Sequence, residues 1–369
     1  MKISILGTYG IPNHHGGFER FAEELSVRLA IRGHDVTVYN PSVHPYREKK
    51  YKNVKIVTRS FPRVLGAAAP LIFDLLCMFH AMRSDTEVIL QCGYTSSPWT
   101  AMFRNNNDKR LLTLMDGMEW QRIKWGWATR KFIKWTEKLA VRHSDVIIAD
   151  HPVIWKYYNE RYGADAKMLR YGVEEVTVNK TDAKGLGITK LQSGYGLDLP
   201  GLENGFILVI ARIEPENNIE MILKGYLLSG VKQKMVVTGN WNTSLGRKLV
   251  RKYKEHPGII FSGGIYDREV LKALRRNSLL YLHGHSAGGT NPSLLEAMAE
   301  GCNIVAHDNP FNKGVLGDFG NYFTTEQELC GFIQNPPGST KREEMIKHTL
   351  DTYNWDRVVE EVEKIVAMR

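Results

Sequence analysis

Short apolar runs alternate with amphipathic segments along most of the chain. The first apolar run covers residues 2–6 and ends at Gly7, and the next covers residues 36–39. Between these runs, apolar residues recur at the spacing of a helix: Phe18, Phe21, Ala22, Leu25 and Leu29. The pattern predicts a strand, then a helix that ends at Gly33, then a second strand. The loop before this helix ends with two glycines, Gly16 and Gly17.

Two series of such units follow one another. The first series has further predicted strands at residues 54–58, 88–92, 111–115, 146–149 and 167–170. The second has strands at residues 206–210, 235–238, 259–262, 279–282 and 303–306, with helices near 219–228, 245–253, 268–276 and 292–300. Strands that alternate with helices predict doubly wound parallel sheets, so the fold class is α/β.

The periodicity fades between residues 173 and 204, a stretch rich in Gly, Thr, Lys and Asp. We therefore predict an N-terminal domain over residues 1–172 and a C-terminal domain over residues 173–354, in which residues 173–204 form a linker or insertion. Residues 355–369 are predicted to form a last amphipathic helix, which could pack back on the N-terminal domain.

Composition narrows the class of protein. The net charge of +9 over 369 residues favours an anionic partner. The four cysteines form no C-x-x-C pair, and the N-terminus lacks a secretory signal pattern, so a reducing cytoplasm is expected. Residues 64–82 are mostly apolar, but Pro70, Asp74 and His80 interrupt them. We expect a packed helix that starts near Pro70 rather than a membrane span.

Residues 288–301 (GGTNPSLLEAMAEG) predict a tight loop that leads into a helix. Asn291 suits the N-cap and Pro292 the first helical position, and the free N–H groups of the first turn favour an anion. Glu296 is predicted to lie buried in this helix, where a carboxylate needs a partner. It could bind a ribose diol, or it could pair with a neighbouring arginine in an ordinary core helix.

These features together resemble a GT-B fold glycosyltransferase of the retaining, family-4-like group. The resemblance covers essentially the whole chain and implies two Rossmann-like domains that face each other across a cleft. Three segments, together with the loop at residues 288–292, resemble bacterial rhamnosyl-type transferases of surface polysaccharide synthesis: residues 10–20 (GIPNHHGGFER), 116–125 (DGMEWQRIKW) and 211–218 (ARIEPENN).

The resemblance implies roles for particular positions. Arg212 matches the basic residue that contacts the donor diphosphate, although an ion pair with Glu214 or Glu216 is an alternative. The other predicted donor-binding residues lie in the loops after the strands and in the helix: Gly16, Gly17, Asn217, Gly239, Asn240, Ile265, Tyr266, Gly288, Gly289, Thr290, Asn291 and Glu296. Tyr266 could instead belong to the core.

The sequence departs from the broad family at two of these positions. Gly288 stands where the family has a first glutamate, eight residues before Glu296, so loop N–H groups and Thr290 or Asn291 would hold the sugar hydroxyls. Asn217 stands where a lysine usually contacts the diphosphate. Basic residues from elsewhere could replace that charge: His14, His15 and Arg20.

Asp116 and Glu119 are the candidates for the acceptor side of the reaction. A carboxylate within hydrogen-bond reach could take the proton of the acceptor hydroxyl. In the enzymes that the chain resembles, the leaving phosphate is often thought to take that proton, and Asp116 could instead only cap a turn. The chain contains no Asp-x-Asp metal motif, and neither a metal nor another cofactor is expected.

Residues 120–142 combine four tryptophans with seven lysines and arginines. This composition is typical of a protein that lies at an anionic membrane surface, and it would suit a lipid-linked acceptor. The alternative is a solvated basic helix whose tryptophans lie in the core.

The sequence therefore predicts a cytoplasmic glycosyltransferase, at the inner face of the membrane if the surface contact exists. It would move a sugar from a nucleotide-diphosphate sugar to a glycan acceptor, with retention. The resemblance to rhamnosyl-type transferases implies that this sugar is rhamnose or another deoxyhexose. Nucleic acid is not an expected partner. A sugar-nucleotide epimerase of the same fold and an inactive nucleotide-sugar-binding protein are the alternatives.

Overall fold

The computed structural model describes residues 1–104, 108–115, 117–122, 125–174, 205–338 and 340–367. These residues form two compact units. Unit 1 contains Met1–Gly172 and Tyr353–Arg369, and unit 2 contains Val173–Thr352. The C-terminal segment thus belongs to unit 1.

Unit 1 is built on an eight-stranded sheet. Its strands are β1 (Lys2–Leu6), β2 (Asp35–Pro41), β3 (Lys50–Tyr51), β4 (Val54–Arg59), β5 (Val88–Cys92), β6 (Arg110–Met115), β7 (Val146–Ala149) and β8 (Lys167–Met168). They lie in the order β3-β4-β2-β1-β5-β6-β7-β8, and all neighbours are parallel except β3 and β4. The prediction of a parallel sheet is confirmed, apart from this short antiparallel edge strand that the pattern did not reveal.

Six helices accompany this sheet in the described residues. They are α1 (Gly17–Ile31), α2 (Ala69–Arg83), α3 (Ser97–Phe103), α4 (Trp127–His143), α5 (Pro152–Tyr162) and the last helix, Trp355–Ala367. The apolar α2 packs inside the unit through Phe73, Cys77, Met78 and Ala81, which explains why its sequence resembles a membrane span. None of the helices in the described ranges has the length and hydropathy that a membrane span requires.

The last helix packs on α1. Arg32 at the end of α1 donates to Glu363 at 2.8 Å, and His34 lies 2.9 Å from the same carboxylate. At its other end, the Trp355 ring lies 6.0 Å from Phe21 of α1. Its apolar face, predicted from the sequence, therefore covers the core of unit 1.

Unit 2 has a six-stranded parallel sheet in the order β11-β10-β9-β12-β13-β14. The strands are β9 (Phe206–Ile210), β10 (Met235–Thr238), β11 (Ile259–Gly263), β12 (Ser278–His283), β13 (Ile304–His307) and β14 (Asn321–Phe323). Its helices are α6 (Ile219–Ser229), α7 (Ser244–Tyr253), α8 (Arg268–Asn277), α9 (Pro292–Ala299), α10 (Pro310–Leu316), α11 (Glu326–Gln334) and α12 (Arg342–Thr352). The last helix of the chain, Trp355–Ala367, belongs to unit 1 and is labelled α13.

The two sheets confirm the α/β fold class. The central strands, such as β1, β5, β7, β9 and β10, are short, apolar and mostly buried, so they appear in the sequence as continuous apolar runs. Because parallel strands have their carboxyl ends at one edge, the loops after β9, β10, β11 and β12 share one edge of the unit 2 sheet. Most of the predicted donor-binding residues lie in these loops.

Candidate functional site

The loop after β9 presents Arg212 to solvent. A hydrogen bond within the loop stabilises the loop conformation: the Asn217 side chain, only 4% exposed, donates from Nδ2 to the Arg212 carbonyl at 2.7 Å. Arg212 itself is exposed, and its guanidinium forms no ion pair with any residue that the structure describes. The alternative of an ion pair with Glu214 or Glu216 is therefore not found. Asn217 holds the loop rather than pointing its amide outward.

The loop after β10 approaches this segment closely. Gly239 has a φ of +155°, and a Cβ there would lie 1.8 Å from the Ala211 carbonyl oxygen, so only glycine fits. The carbonyl of Asn240 accepts from the Ile213 N–H at 3.0 Å. Gly239 and Asn240 thus shape the loop that carries Arg212.

The loop after β12 leads into α9 as the sequence predicts. The Asn291 side chain caps α9 by accepting from the Ser293 N–H at 2.9 Å, and the first turn contains no acidic residue. Ser293 in turn donates from Oγ to the Ile210 carbonyl at 3.3 Å. The positive end of α9 therefore lies at the end of β9, two residues along the chain from Arg212.

Gly288, Gly289 and Thr290 form the rest of this loop. Gly288 has a φ of +122°, and a Cβ at this position would have open space around it. Thr290 is buried, at 7% exposure. The glycine at position 288 is therefore required by backbone conformation and not by crowding.

The structure corrects the prediction that Glu296 is buried. Its side chain is 34% exposed, and it forms an ion pair with Arg275 of α8, which is only 3% exposed. Burial alone would lower the pKa of Arg275, but the charge of Glu296 and its neighbours outweighs burial and raises it. The predicted arginine partner exists, and the Glu296 side chain stays partly exposed.

Ile265 and Tyr266 follow β11 at the same edge. Ile265 is half-buried, whereas Tyr266 is 52% exposed. The alternative that Tyr266 belongs to the core is therefore wrong.

His283 and His285 lie beside the candidate site, and the sequence analysis did not single them out. They end β12 and begin the loop to α9, and their rings stack at 4.4 Å with an interplanar angle of 17°. His283 is fully buried. Its pKa is held well below the usual value, mainly by burial and to a smaller extent by the charge of the neighbouring His285. The pattern H-x-H directly before the glycine loop was the available signal.

In unit 1, Gly16 is the N-cap of α1 and Gly17 its first residue. The three nearby basic candidates differ in their surroundings. His14 and His15 are exposed, while Arg20 pairs with Glu24 of the same helix at 3.1 Å. Arg20 is therefore engaged within α1.

Of the two acceptor-side candidates, Asp116 lies outside the described residues. Glu119 begins a short 3₁₀ turn, Glu119–Gln121, and forms an ion pair with Arg122. The next residue, Trp120, donates from Nε1 to the fully buried Glu137 of α4 at 2.9 Å. The turn is thus anchored on α4.

The aromatic residues of helix α4 lie on its surface. Trp127 is 71% and Trp135 49% exposed, and Lys131 lies 4.1 Å from the Trp127 ring centre. The alternative that these tryptophans lie in the core is wrong for both of them. Phe132 is a third exposed ring, 5.8 Å from Trp135.

Two family models match the chain. Residues 1–174 match a domain of unknown function (DUF1972), and residues 200–330 match the family described as glycosyl transferases group 1. The second match covers the strands and loops of unit 2 that hold the predicted donor-binding residues.

Two curated relatives are similar to the chain. An uncharacterized glycosyltransferase, MJ1069 of Methanocaldococcus jannaschii, is 23% identical over 99% of this chain and 98% of its own length. The alpha-monoglucosyldiacylglycerol synthase of Streptococcus pneumoniae is 26% identical over 50% of this chain and 42% of its own length.

Solved structures share the fold over the full length. Sucrose-phosphate synthase from Thermosynechococcus elongatus has a TM-score of 0.79 at 14% identity, covering 99% of this chain and 98% of its own. Alr3699/HepE of Anabaena in complex with UDP-glucose has a TM-score of 0.74 at 13% identity, covering 99% of both chains. Residues 200–330 thus match the group 1 glycosyltransferase model, and the chain has the GT-B fold of these glycosyltransferases.

Proposed function

We propose that this protein is a glycosyltransferase that takes its sugar from a nucleotide-diphosphate donor bound to unit 2. One observation carries the proposal: the free guanidinium of Arg212 lies in the loop after β9, and the capped N-terminus of α9 contacts the end of the same strand. A planar guanidinium and the N–H groups of a helix terminus are both suited to phosphate oxygens. The complexes of Alr3699/HepE with UDP-glucose and with UDP support a donor of this class.

The proposed reaction breaks the bond between the anomeric carbon and the diphosphate and forms a bond to an acceptor hydroxyl, with retention. Arg212 and the positive end of α9 stabilise the charge that develops on the departing diphosphate. Glu296 accepts hydrogen bonds from the ribose hydroxyls. The proton of the acceptor passes to the departing phosphate, and Glu119 is assigned to the acceptor side.

For the finer specificity, we propose a deoxyhexose such as rhamnose and a lipid-linked glycan acceptor in surface polysaccharide synthesis. The motif order in residues 10–20, 116–125 and 211–218 supports the sugar class. The relative that is named a monoglucosyldiacylglycerol synthase supports an acceptor with a lipid part.

A donor screen followed by a transfer assay tests the proposal. Matched pairs of nucleoside diphosphate and sugar nucleotide are screened for a rise in the unfolding midpoint, since a ligand that binds only the folded state stabilises it. The donor that binds is then incubated with and without glycan acceptors. Transfer only in the presence of an acceptor supports a glycosyltransferase; conversion of the sugar without an acceptor supports an epimerase. Tight donor binding without any turnover across the acceptors supports a binding protein.

We further propose that α4 contacts an anionic membrane surface. Its exposed rings, Trp127, Phe132 and Trp135, stand beside Arg130 and Lys131, and this mixture suits the boundary between lipid headgroups and chains. Vesicles that contain anionic lipid are expected to bind the protein at low salt and to release it at high salt, because salt screens surface charge.

A matched pair of variants sharpens this test. Trp127→Ala with Trp135→Ala should reduce vesicle binding, whereas Trp155→Ala should not, although Trp155 on α5 is 41% exposed as well. Equal binding to neutral and anionic vesicles would count against the proposed surface.

A further inference from the structure

A column of three aromatic rings runs along one face of β12 towards the loop before α9. Tyr281, His283 and His285 occupy alternate positions, so their side chains share a face of the sheet. The ring of His283 lies 6.2 Å from that of Tyr281 and 4.4 Å from that of His285, and both pairs are nearly parallel. The Tyr281 hydroxyl bonds Ser293 in the first turn of α9. The column therefore lies on the face that the N-terminus of α9 covers.

His283 is poorly explained as a packing residue. Its side chain is fully buried, and neither ring nitrogen has a hydrogen-bond partner among the described residues. A buried polar group without a partner destabilises the fold, whereas a phenyl ring of similar size in the same place would not. An orphaned group of this kind needs an explanation, and a ligand at the site supplies one.

The chemistry of His283 points to a hydroxyl group as that ligand. Burial keeps the ring neutral, because its pKa is held well below the usual value. A neutral imidazole offers one N–H donor and one nitrogen acceptor, which matches a hydroxyl group that both donates and accepts. A diphosphate only accepts and is better served by the charge of Arg212.

The loop that holds His285 is fixed beside the loop of Arg212. Ser286 donates from its N–H to the Glu216 carbonyl at 2.8 Å, and Asn218 donates to the Gly284 carbonyl at 2.9 Å. On the other side, the His285 carbonyl accepts from Nδ2 of Asn309 at 2.9 Å. Three residues further along, the space beside Gly288 is open. The loop that holds the histidine pair is therefore fixed directly beside the loop that holds Arg212.

We propose that His283 and His285 form the sugar-recognition side of the donor site and hold hydroxyl groups of the transferred sugar. The inference rests on the proposed function and adds to it, because it assigns the sugar to the histidine pair and the diphosphate to Arg212 and α9. The two histidines would supply the hydrogen-bond partners of the sugar hydroxyls that the glycine at position 288 cannot supply.

The test separates the sugar from the nucleotide. Affinities are measured by calorimetry for UDP and UDP-glucose, GDP and GDP-mannose, and dTDP and dTDP-rhamnose, and the pair that the wild type binds is used. His283→Phe and His285→Phe should each bind the sugar nucleotide about 10-fold or more weakly, the effect of losing about one hydrogen bond. Both should bind the free nucleoside diphosphate as the wild type does.

Stability provides an independent readout for His283. His283→Phe removes two orphaned nitrogens, so its unfolding midpoint should equal or exceed that of the wild type, while KM for the donor rises. His283→Gln, which keeps a donor and an acceptor, should recover part of the affinity. His348→Phe on α12, an exposed histidine, is the matched control and should change neither quantity.

Three outcomes overturn the inference. The first is unchanged affinity for the sugar nucleotide in both phenylalanine variants, and the second is an equal loss for nucleotide and sugar nucleotide. The third is a His283→Phe variant with a lower midpoint together with a His285→Phe variant that binds the donor normally. A wild type that binds none of the sugar nucleotides in the donor screen instead refutes the proposed function itself, on which the inference depends.

Discussion

Both units contain two glycines at or just before the start of a helix, but the two helix termini differ in charge. In unit 1, Glu19 lies in the first turn of α1, is only 4% exposed and accepts from the Tyr9 N–H at 2.8 Å. Its other oxygen would lie 3.3 Å from a Cβ placed on Gly16. The positive end of α1 thus already faces a carboxylate, which opposes a second anion.

The terminus in unit 2 has the opposite character. Asn291 caps α9 with a neutral side chain, no acidic residue occupies the first turn, and Arg212 lies in the loop after the neighbouring β9. The comparison teaches that a glycine-rich turn does not by itself make an anion site, since the nearest charge decides. We therefore expect unit 2 to supply most of the affinity for the donor diphosphate.

Loss of Arg212 should have the largest effect. Arg212→Ala should lower turnover by about 100-fold or more at saturating donor, comparable to removal of one oxyanion donor in other enzymes. Arg212→Lys should also be costly, because it keeps the charge but loses the planar fork. Steady-state transfer and calorimetric donor affinity, measured side by side, separate an effect on the transition state from one on binding.

Arg20→Ala is the matched control in unit 1, because Arg20 already pairs with Glu24 at 3.1 Å. It should leave turnover within a few-fold of the wild type. A larger loss in Arg20→Ala than in Arg212→Ala would reverse the comparison between the two units. Weaker binding with unchanged turnover in Arg212→Ala would show that Arg212 binds the donor without catalysing transfer.

Glu296→Gln should have the second-largest effect. The change removes the charge that pairs with the buried Arg275 and weakens the proposed contact with the ribose. We expect donor affinity to fall by about 1–3 kcal/mol, together with some loss of stability. Glu300→Gln disturbs the equivalent pair with Arg276 one turn further on and should lower stability alone. Intact donor affinity in a destabilised Glu296→Gln variant would make Glu296 purely structural.

The fold was largely predictable because its strands are buried. A parallel strand covered on both faces is a continuous apolar run, and such runs marked β9, β10 and β12 within one residue of their ends. The edge strands β3 and β14 were missed. They have two and three residues, and only Phe323 among them is buried, so they leave no apolar run to detect.

The site was predictable only where backbone geometry fixes it. The Asn291 cap and the glycine turn depend on neighbours in sequence and could be recognised. The partner of Glu296 depends on the packing of α8 against α9, so its arginine could be expected but not identified. The same holds for Glu19 and Glu23, which look like a solvated face of α1 but accept from N–H groups of Tyr9 and Asn13.

Glu19→Gln tests the unit 1 side of the comparison. The amide keeps an acceptor for the Tyr9 N–H but removes the carboxylate at the start of α1. Stability should fall by about 1–3 kcal/mol, as for a weakened charged hydrogen bond. Donor affinity, measured by calorimetry, should stay within about twofold, since unit 2 carries most of the anion binding. An affinity gain of tenfold or more would show that the α1 terminus is an anion site that Glu19 restrains.

Removal of divalent metal should have the smallest effect. In the proposed site the departing diphosphate is stabilised by Arg212 and by the N–H groups and dipole of α9, and the sequence has no Asp-x-Asp motif to hold a metal beside it. Initial rates of transfer are measured in excess chelator, then after addition of magnesium or manganese. We expect the rate to stay within about twofold throughout, and Arg212→Ala to be no more sensitive to metal than the wild type. If transfer stopped in chelator and returned with either ion, a bound cation would share the charge that we assign to unit 2. The contrast between the two helix termini would then no longer explain where the diphosphate is held.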